Sequence, residues 1–321
     1  MPERRTGSYL LPSASSPQIS DWIASRWRFR WPGSDGERVV ADAAWRLETA
    51  VREWSLDELV PMSESYWGVV FGAKSHGREV VLKVNPRTPD GGSPHSPEAK
   101  ALEQWAMTSG IAPEILNSRD GGATFLMQRC LPGTTLMDAE RDPIRIVEIL
   151  GRVCRTAHLL ASSDRGTFTH LADSEEAARW SAALRGTREA TALCKLLMPR
   201  SDDVLLHLDL HCANVLWAGD RWQIVDPIPH VGDPNADIYA LIFNPALLHG
   251  MPSDKRSAGL FVHRHLVSYV RNAGLDLDRA TAWLRVRSLY RLWRAEREQD
   301  VADMGWTSKL ARLVELLPDD T

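Results

Sequence analysis

Long apolar runs, paired cysteines and basic stripes are all missing from this sequence. No run of about 20 apolar residues occurs, so we expect no membrane-spanning helix. None of the four cysteines forms a Cys-x-x-Cys pair, which argues against a zinc ribbon or a thioredoxin-like site. The net charge of −4 and the lack of a basic stripe argue against nucleic acid as a partner. The first residues lack an apolar segment of signal-peptide length, so we expect a cytoplasmic protein.

What is present is an ordinary globular composition with an ordered change of pattern. The 321 residues are 44% hydrophobic and 25% charged, and they give room for about two domains. The patterns predict an α+β protein in three parts. They are an N-terminal tail with a helical extension over residues 1–59, a small β-rich N-lobe over 60–131, and a larger helical C-lobe over 132–321.

The segment before residue 60 has a helical period. The pattern predicts helix from Ile19 to about Leu59, and steps of three and four place four apolar residues on one face. They are Val40, Ala44, Leu47 and Val51.

The next segment changes to a strand period. "YWGVVFGAKSHGREVVLKV" predicts a β-hairpin that turns at "KSHG". A helix follows, capped by Ser96, with Pro97 in its first turn and Gly110 at its end. "ATFLMQRCLPG" then predicts one further strand, and helical patterns dominate residues 140–200 and the chain after 235.

The stretch "HLDLHCANVLWAGDRWQIVDP", residues 207–227, concentrates polar groups beside residues that build a sheet. It contains Asp209, Asn214 and Asp226, and its second half predicts a hairpin that turns at residues 218–220. One interpretation is a surface hairpin with polar ends. Because burying unpartnered charges is costly, the other interpretation is that a metal ion and a substrate proton are their partners. Mg²⁺ prefers oxygen ligands of this kind.

These residue types fit phosphoryl transfer from ATP, which needs a lysine, its carboxylate, metal ligands and a base. Lys83 lies in the strand "VVLKV", and Glu98 begins the next helix; Glu103 is the competing partner. Lys83 could instead be an edge-strand lysine with its amine in solvent. Asp209 and Asn214 have the spacing of the Asp-x-x-x-x-Asn catalytic loop of kinases.

Five motifs carry a resemblance to a known family. They are "LLHLDLHCANVLW", "WQIVDPIPHVGDPNADIYALIFNP", "VVLKV", "PEAKALEQW" and "LMQRCLPGTTL". Together they resemble the aminoglycoside phosphotransferases, in particular the branch with streptomycin and hydroxyurea phosphotransferases, over about residues 60–250. The resemblance implies a bilobal protein-kinase-like fold that binds ATP, with GTP as an alternative, and Mg²⁺.

The resemblance also implies roles for ten residues of this chain. They are the catalytic base Asp209, the magnesium ligands Asn214 and Asp226, the phosphate-binding Lys83 with its partner Glu98, the phosphate-loop residues Ser65 and Gly68, and the adenine-hinge residues Gln128, Arg129 and Cys130. One departure is Leu208, which stands where glycine is usual in the family. The backbone of the loop must therefore tolerate a side chain there.

Further polar residues have weaker roles in the prediction. Asp237, at the start of a predicted amphipathic helix, and His207 should brace the loop from inside the protein. Asp233 either reaches a substrate or belongs to a surface turn. Three late acidic residues are candidates to meet a cationic acceptor: Glu296, Asp300 and Asp303.

The function predicted is an ATP-dependent O-phosphotransferase that inactivates a small-molecule antibiotic at a hydroxyl, with a streptomycin-like aminoglycoside as the first acceptor. Other acceptors remain open: hydroxyurea, a nucleoside antibiotic such as capuramycin, or a metabolite sugar. A catalytically dead binding module is a more distant alternative. A protein kinase is disfavoured because the chain lacks a Gly-x-Gly-x-x-Gly loop and because Pro-Ile follows Asp226. We expect a monomer or a small homo-oligomer.

Overall fold

The computed structural model describes most of the chain. The described ranges are 23–24, 33–62, 68–87, 97–159, 167–241, 245–298 and 304–318. The chain divides into two compact units. The first contains Met1–Met107 and Pro113–Arg129, and the second contains Thr108–Ala112 and Cys130–Thr321. Residues 108–112, which the sequence analysis placed in the N-lobe, thus pack with the second unit.

The first unit is built on a five-stranded antiparallel sheet. In the sequence, one helix precedes the first strand and a second helix follows the third strand. The helices are α1 (Ser34–Glu53) and α2 (Pro97–Ser109), and the strands are β1 (Leu56–Pro61), β2 (Val69–Ser75), β3 (Arg78–Val84), β4 (Ile115–Arg119) and β5 (Thr124–Gln128). The strand order is β1-β2-β3-β5-β4, so β3 is the central strand.

The predicted hairpin is confirmed as β2 and β3. Val70 pairs with Lys83, and Ser75 pairs with Arg78. The turn between them uses His76 and Gly77, both with positive φ, at 48° and 77°. Two positive φ values are typical of a type I′ turn, whose twist matches that of the flanking strands. This turn fixes the register that places Lys83 in the sheet.

Helix α1 differs from the prediction in its end and in its buried face. It ends at Glu53, and residues 56–61 form β1 instead of continuing the helix. The buried face of the helix is displaced by about one residue from the face that the sequence predicted. Its fully buried apolar residues are Val39, Ala43, Leu47 and Ala50, whereas Val40, Ala44 and Val51 are partly buried beside them.

The core of the first unit joins α1 to one face of the sheet. Leu47, Phe71 and Leu82 are completely buried there, with Leu126 at 1% exposure. Each such side chain contributes about 1.5–3 kcal/mol through its burial. This packing supports the central strand on which Lys83 lies.

The second unit is mainly helical and contains two short antiparallel strand pairs. Its helices are α3 (Leu136–Ala139), α4 (Pro143–His158), α5 (Glu175–Ala183), α6 (Arg188–Leu196), α7 (Pro245–Gly250), α8 (Lys255–Ala273), α9 (Leu277–Glu298) and α10 (Met304–Leu316). Its strands are β6 (Val204–Leu206), β7 (Val215–Trp217), β8 (Trp222–Ile224) and β9 (His230–Gly232). Two 3₁₀ helices cover Leu171–Asp173 and Pro234–Leu241.

The strand pairs hold the two ends of the polar stretch. The predicted hairpin is confirmed as β7 and β8, with Val215 paired to Ile224 and Trp217 paired to Trp222. The β6–β9 pair was not predicted, because three-residue strands show too little alternation to be recognised. It joins Leu206, before the loop, to His230, after the hairpin. The pairing of β6 with β9 therefore brings the two ends of the segment 207–229 next to each other.

Local signals in the sequence account for several helix boundaries of this unit. Helix α4 begins after Asp142, whose carboxylate accepts a hydrogen bond from the backbone N–H of Ile144 at 2.9 Å. Helix α8 ends at Ala273 and is followed by Gly274, which has a φ of 72° that favours glycine. No helix among the described residues is long and apolar enough to cross a membrane.

Candidate active site

A buried ion pair forms at the centre of the sheet of the first unit. The Lys83 Nζ lies 2.7 Å from the Glu98 Oε1, and the two side chains are 4% and 1% exposed. The edge-strand interpretation of Lys83 is wrong, since β3 is central, and the competitor Glu103 is exposed. The Asn85 amide donates to the other oxygen of Glu98 at 3.0 Å. The carboxylate of Glu98 is therefore held at both oxygens.

Helix α1 adds a buried arginine that the sequence analysis missed. Arg46 is fully buried; its Nη1 donates to the Asn85 carbonyl at 2.8 Å, and its Nη2 pairs with Asp42. Burial lowers the pKa of Arg46, although Asp42 opposes that effect. An arginine between Ala43 and Leu47, on the apolar face of a helix, was the signal that could have revealed it.

Gly68 lies against this ion pair. A Cβ atom at this position would lie 2.6 Å from the Asn85 Oδ1 and 3.0 Å from the Lys83 Cε. A side chain there would therefore collide with buried groups that are already bonded. The other predicted phosphate-loop residue, Ser65, and the helix cap Ser96 lie outside the described residues.

The predicted hinge residues differ in their environment. Gln128 is exposed, and its N–H donates to the Glu114 carbonyl at 2.9 Å. The Arg129 N–H donates to the Glu79 carbonyl at 3.3 Å, and its guanidinium pairs with the Glu79 carboxylate at 2.8 Å. Cys130 is buried, and burial raises the pKa of its thiol to about 11. The N–H groups of Gln128 and Arg129 are thus already used within the protein.

The second unit brings Asp209, Asn214 and Asp226 together. The Asn214 amide nitrogen donates to the Asp209 carbonyl at 2.9 Å and lies 3.5 Å from its Oδ2. The Val225 N–H donates to the Asn214 carbonyl at 3.0 Å, so the hairpin returns Asp226 to the start of β7. Since the amide nitrogen of Asn214 faces Asp209, its Oδ1 is the atom suited to a cation.

Like charges shape the electrostatics of this loop. Burial and repulsion from Asp226 raise the pKa of Asp209 to about 8, although Arg287 and Arg291 oppose the rise. The His211 Nε2 lies 3.8 Å from the Asp209 Oδ2. Burial and the neighbouring His207 lower the pKa of His211 to about 4, so its ring is neutral and does not compensate the carboxylates. A divalent cation would relieve their repulsion.

Asp237 braces the backbone of the loop, as predicted. It lies in the 3₁₀ helix and not at the start of the predicted amphipathic helix. Its carboxylate accepts from the N–H of His207 at 3.1 Å and from that of Leu208 at 2.7 Å. The ring of His207, which is fully buried, contacts the Val225 carbonyl at 3.1 Å. The prediction that His207 is a buried brace is also confirmed.

His158 completes this brace. Its Nε2 lies 2.8 Å from the Asp237 Oδ2, and both side chains are almost fully buried. Burial alone would lower the pKa of His158, but Cys154 and Asp237 raise it to about 10. Cys154, His158 and Asp237 have the spacing of a metal site. We assign them no metal, because both oxygens of Asp237 already accept hydrogen bonds.

Asp233, one of the remaining predicted residues, is bonded inside the second unit. Asp233 is 3% exposed and accepts from the Trp283 Nε1 at 2.6 Å and from Arg279, so both interpretations, a substrate contact and a surface turn, are wrong. Glu296 is exposed on α9. Asp300 and Asp303 lie outside the described residues.

Comparison with known proteins identifies the family. Residues 68–242 match the phosphotransferase enzyme family, and the chain belongs to it. A streptomycin 6-kinase of Streptomyces griseus is 36% identical over 308 residues, which cover 89% of this chain and 94% of that protein. A streptomycin 6-kinase of Streptomyces glaucescens is 29% identical over 285 residues, which cover 82% of this chain and 87% of that protein.

Solved structures share the fold. A complex of a thermostable mutant of the aminoglycoside phosphotransferase APH(4)-Ia with AMP-PNP and hygromycin B has a TM-score of 0.55 and 16% identity, and covers 85% of this chain and 98% of that chain. The predicted family, the α+β fold of the aminoglycoside phosphotransferases and the enzyme class are confirmed. The protein is a phosphotransferase, a small-molecule kinase that uses a hydroxyl acceptor.

Proposed function

We propose that this phosphotransferase transfers the γ-phosphate of ATP to a hydroxyl of a streptomycin-like aminoglycoside and thereby inactivates the antibiotic. The convergence of Asp209, Asn214 and Asp226 on one loop and hairpin carries the proposal. The similarity to two streptomycin 6-kinases, over most of both chains, supports the acceptor class. A phosphoryl group adds charge and bulk to the antibiotic, which its target would no longer accept.

Lys83 and Glu98 have the geometry of a phosphate-binding pair. The carboxylate of Glu98, held at both oxygens, fixes the amine of Lys83 in the sheet. We assign the amine to the phosphates of the nucleotide, because a fixed cation stabilises charge that moves during transfer. At the hinge, the adenine would use carbonyl groups of residues 128–130 or the Cys130 N–H, since the two preceding N–H groups are already bonded.

Asn214 and Asp226 fit a magnesium ion. They offer an amide oxygen and a carboxylate, the hard donors that Mg²⁺ takes beside phosphate oxygens and water. The repulsion between Asp209 and Asp226 is a further sign, because a cation would stabilise both carboxylates. When bound, the ion would neutralise charge on the phosphates of the nucleotide.

Asp209 is the proposed base. As the acceptor oxygen forms its bond to the γ-phosphorus, the bond from that phosphorus to the oxygen that leaves with ADP breaks, and the hydroxyl proton passes to the carboxylate of Asp209. The amide of Asn214 orients the Asp209 peptide through its bond to the carbonyl. Asp237 and His158 keep the loop backbone in place.

The test is turnover by the purified chain with ATP and Mg²⁺ over a panel of acceptors. The panel contains streptomycin, spectinomycin, hygromycin B, hydroxyurea and capuramycin. We expect ADP release with streptomycin, a product heavier by one phosphoryl group, and loss of turnover when EDTA removes the metal. Turnover with another member alone would correct the acceptor. ATP binding without turnover on any member, in a sample of intact fold, would support the binding-module alternative.

A further inference from the structure

The residue before the proposed base has an unusual backbone conformation. Leu208 has a φ of 56° and is 2% exposed. A left-handed conformation costs a residue with a Cβ atom about 1–2 kcal/mol. Surrounding interactions must offset this cost for the conformation to persist. They bear on the site because the peptide bond of Leu208 leads directly into Asp209.

Buried charged side chains hold both polar groups of Leu208. Its N–H donates to the Asp237 Oδ1 at 2.7 Å, and its carbonyl accepts from the Arg287 Nη2 at 3.0 Å. The first contact is part of the brace described above. The second comes from α9, 79 residues further along the chain.

Arg287 is a costly residue in this place. It is 6% exposed, and its guanidinium lies 4.1 Å from the ring centre of Tyr239 and 4.6 Å from that of Trp180. Its other hydrogen bond goes to the Ala236 carbonyl at 3.5 Å. Within the described ranges, no carboxylate lies within salt-bridge distance of Arg287. Burying the guanidinium costs its hydration, and its contacts with the two carbonyls and the two aromatic rings must offset that cost.

We propose that Arg287 is a positioning residue for the transfer reaction: its guanidinium holds the Leu208 carbonyl and so fixes the direction in which the Asp209 carboxylate points. This inference rests on the proposed role of Asp209. The planar fork of arginine can serve the carbonyls of Leu208 and Ala236 together, which a lysine ammonium cannot do in the same geometry. The flat guanidinium also lies over the rings of Tyr239 and Trp180.

Arg285 provides a matched control on the same helix. It is also buried, but its Nε pairs with Glu189 at 3.0 Å and its Nη1 donates to the Leu317 carbonyl at 3.2 Å. Replacing either arginine with methionine removes a buried guanidinium from α9. Only the Arg287 variant removes a bond to the catalytic loop.

The first experiment compares Arg287→Met with Arg285→Met at a temperature where circular dichroism shows both folded. For Arg287→Met we expect kcat to fall by about 100-fold, the loss that a small misplacement of a reacting group causes, with little change in the KM for ATP. Arg285→Met should lower the melting temperature but keep its kcat. Equal loss of kcat in both variants, or an unchanged kcat in Arg287→Met, would overturn the proposal.

A double-mutant cycle shows whether the effect passes through Asp209. In an Asp209→Ala background, Arg287→Met should have no further effect on residual turnover, because groups that act as a unit are not additive. Arg287→Ala should also regain part of its kcat with millimolar guanidinium, whereas Arg285→Ala should not. A full additional loss in the double mutant would mean that Arg287 acts independently of the base.

Hydrogen exchange tests the inference without any acceptor. Loss of the Arg287 contact should speed amide exchange in a peptide that covers residues 207–210, whereas Arg285→Met should leave that peptide unchanged. Unaltered exchange in Arg287→Met would contradict the inference even in an active enzyme. If the loop loosens but the unmodified chain phosphorylates no acceptor, the proposed function fails and the structural role of Arg287 stands.

Discussion

The two units solve the problem of buried charge in opposite ways. In the first, Lys83 and Glu98 neutralise each other, and the Asn85 amide donates to the second oxygen of Glu98. In the second, Asp209 and Asp226 lie on loops and repel each other. Asp226 has a left-handed backbone conformation, and so does Leu208, which precedes Asp209. The charges of the ion pair in the first unit balance each other, whereas Asp209 and Asp226 in the second leave a repulsion that a cation would relieve.

The contrast predicts that the largest effect on catalysis comes from the loop. Asp209→Ala should lower kcat by roughly 10³-fold, within the range for loss of a general base, while ATP still binds. Asp220→Ala is the control, since it removes an exposed acid at the turn of the same hairpin. Steady-state turnover and a nucleotide titration measure the two effects. Unchanged turnover in Asp209→Ala would show that the base is elsewhere.

The largest effect on stability should come from the sheet. Lys83→Met leaves Glu98 buried without its cation, and we expect the free energy of unfolding to fall by about 3–5 kcal/mol. Lys74→Met breaks an ion pair of similar length, 2.8 Å, on the neighbouring strand, where the side chains are 39% and 52% exposed. Its cost should be much smaller, because solvent screens an exposed ion pair. Urea denaturation measures both, and equal costs would contradict the assigned role of burial.

We expect a loss of stability of intermediate size, dependent on pH, when the hydrogen bond between His158 and Asp237 is removed. His158→Gln should cost about 2 kcal/mol near pH 6, the value of a hydrogen bond to a charged group. Because the pKa of His158 is raised to about 10, its contribution is complete below the unfolded value of about 6.5 and is lost as pH rises through 10. The lowered pKa of Asp237 adds stability that is lost in acid.

The cost of His158→Gln should therefore shrink between pH 6 and pH 10, which urea denaturation at several pH values can follow. His263→Gln, at an exposed position on α8, should show no such trend. A cost that does not vary over this interval would mean that folding does not raise the pKa of His158.

The smallest expected effect has the opposite sign. Asp209→Asn removes one of two repelling carboxylates without changing the shape of the side chain. Without metal and nucleotide it should raise the free energy of unfolding by about 1 kcal/mol, as replacements at active sites often do. A loss of stability in thermal denaturation would argue against charge conflict in the loop.

The sequence predicted the parts of the site that depend on local signals. The "KSHG" turn fixed the register of Lys83, and the apolar runs beside Asn214 predicted the hairpin that returns Asp226. Asp237 was recognised through the motif around it. The two hairpins need only neighbouring residues to form, which is why pattern and spacing were sufficient for them, whereas Asp237 bonds to Leu208, 29 positions away, and was found only through its motif.

The parts that were missed depend on distant partners. Arg46 and Arg287 occur in helices where an arginine normally lies on the surface, and only tertiary packing shows that both are buried. Asp233 looked like a turn residue, and its burial depends on Trp283, 50 positions away. The short strands β6 and β9 form only by pairing with each other across the intervening loop and hairpin.

Gly68 places a limit on how this phosphotransferase can vary. An added methyl group there would press on the Asn85 amide, which helps to hold Glu98, and on the methylene next to the Lys83 amine. A homologue with any larger residue at this position would have to relocate its lysine, its asparagine or both. The position of the Lys83 amine, which we propose binds phosphate, thus depends on the absence of a Cβ atom at residue 68.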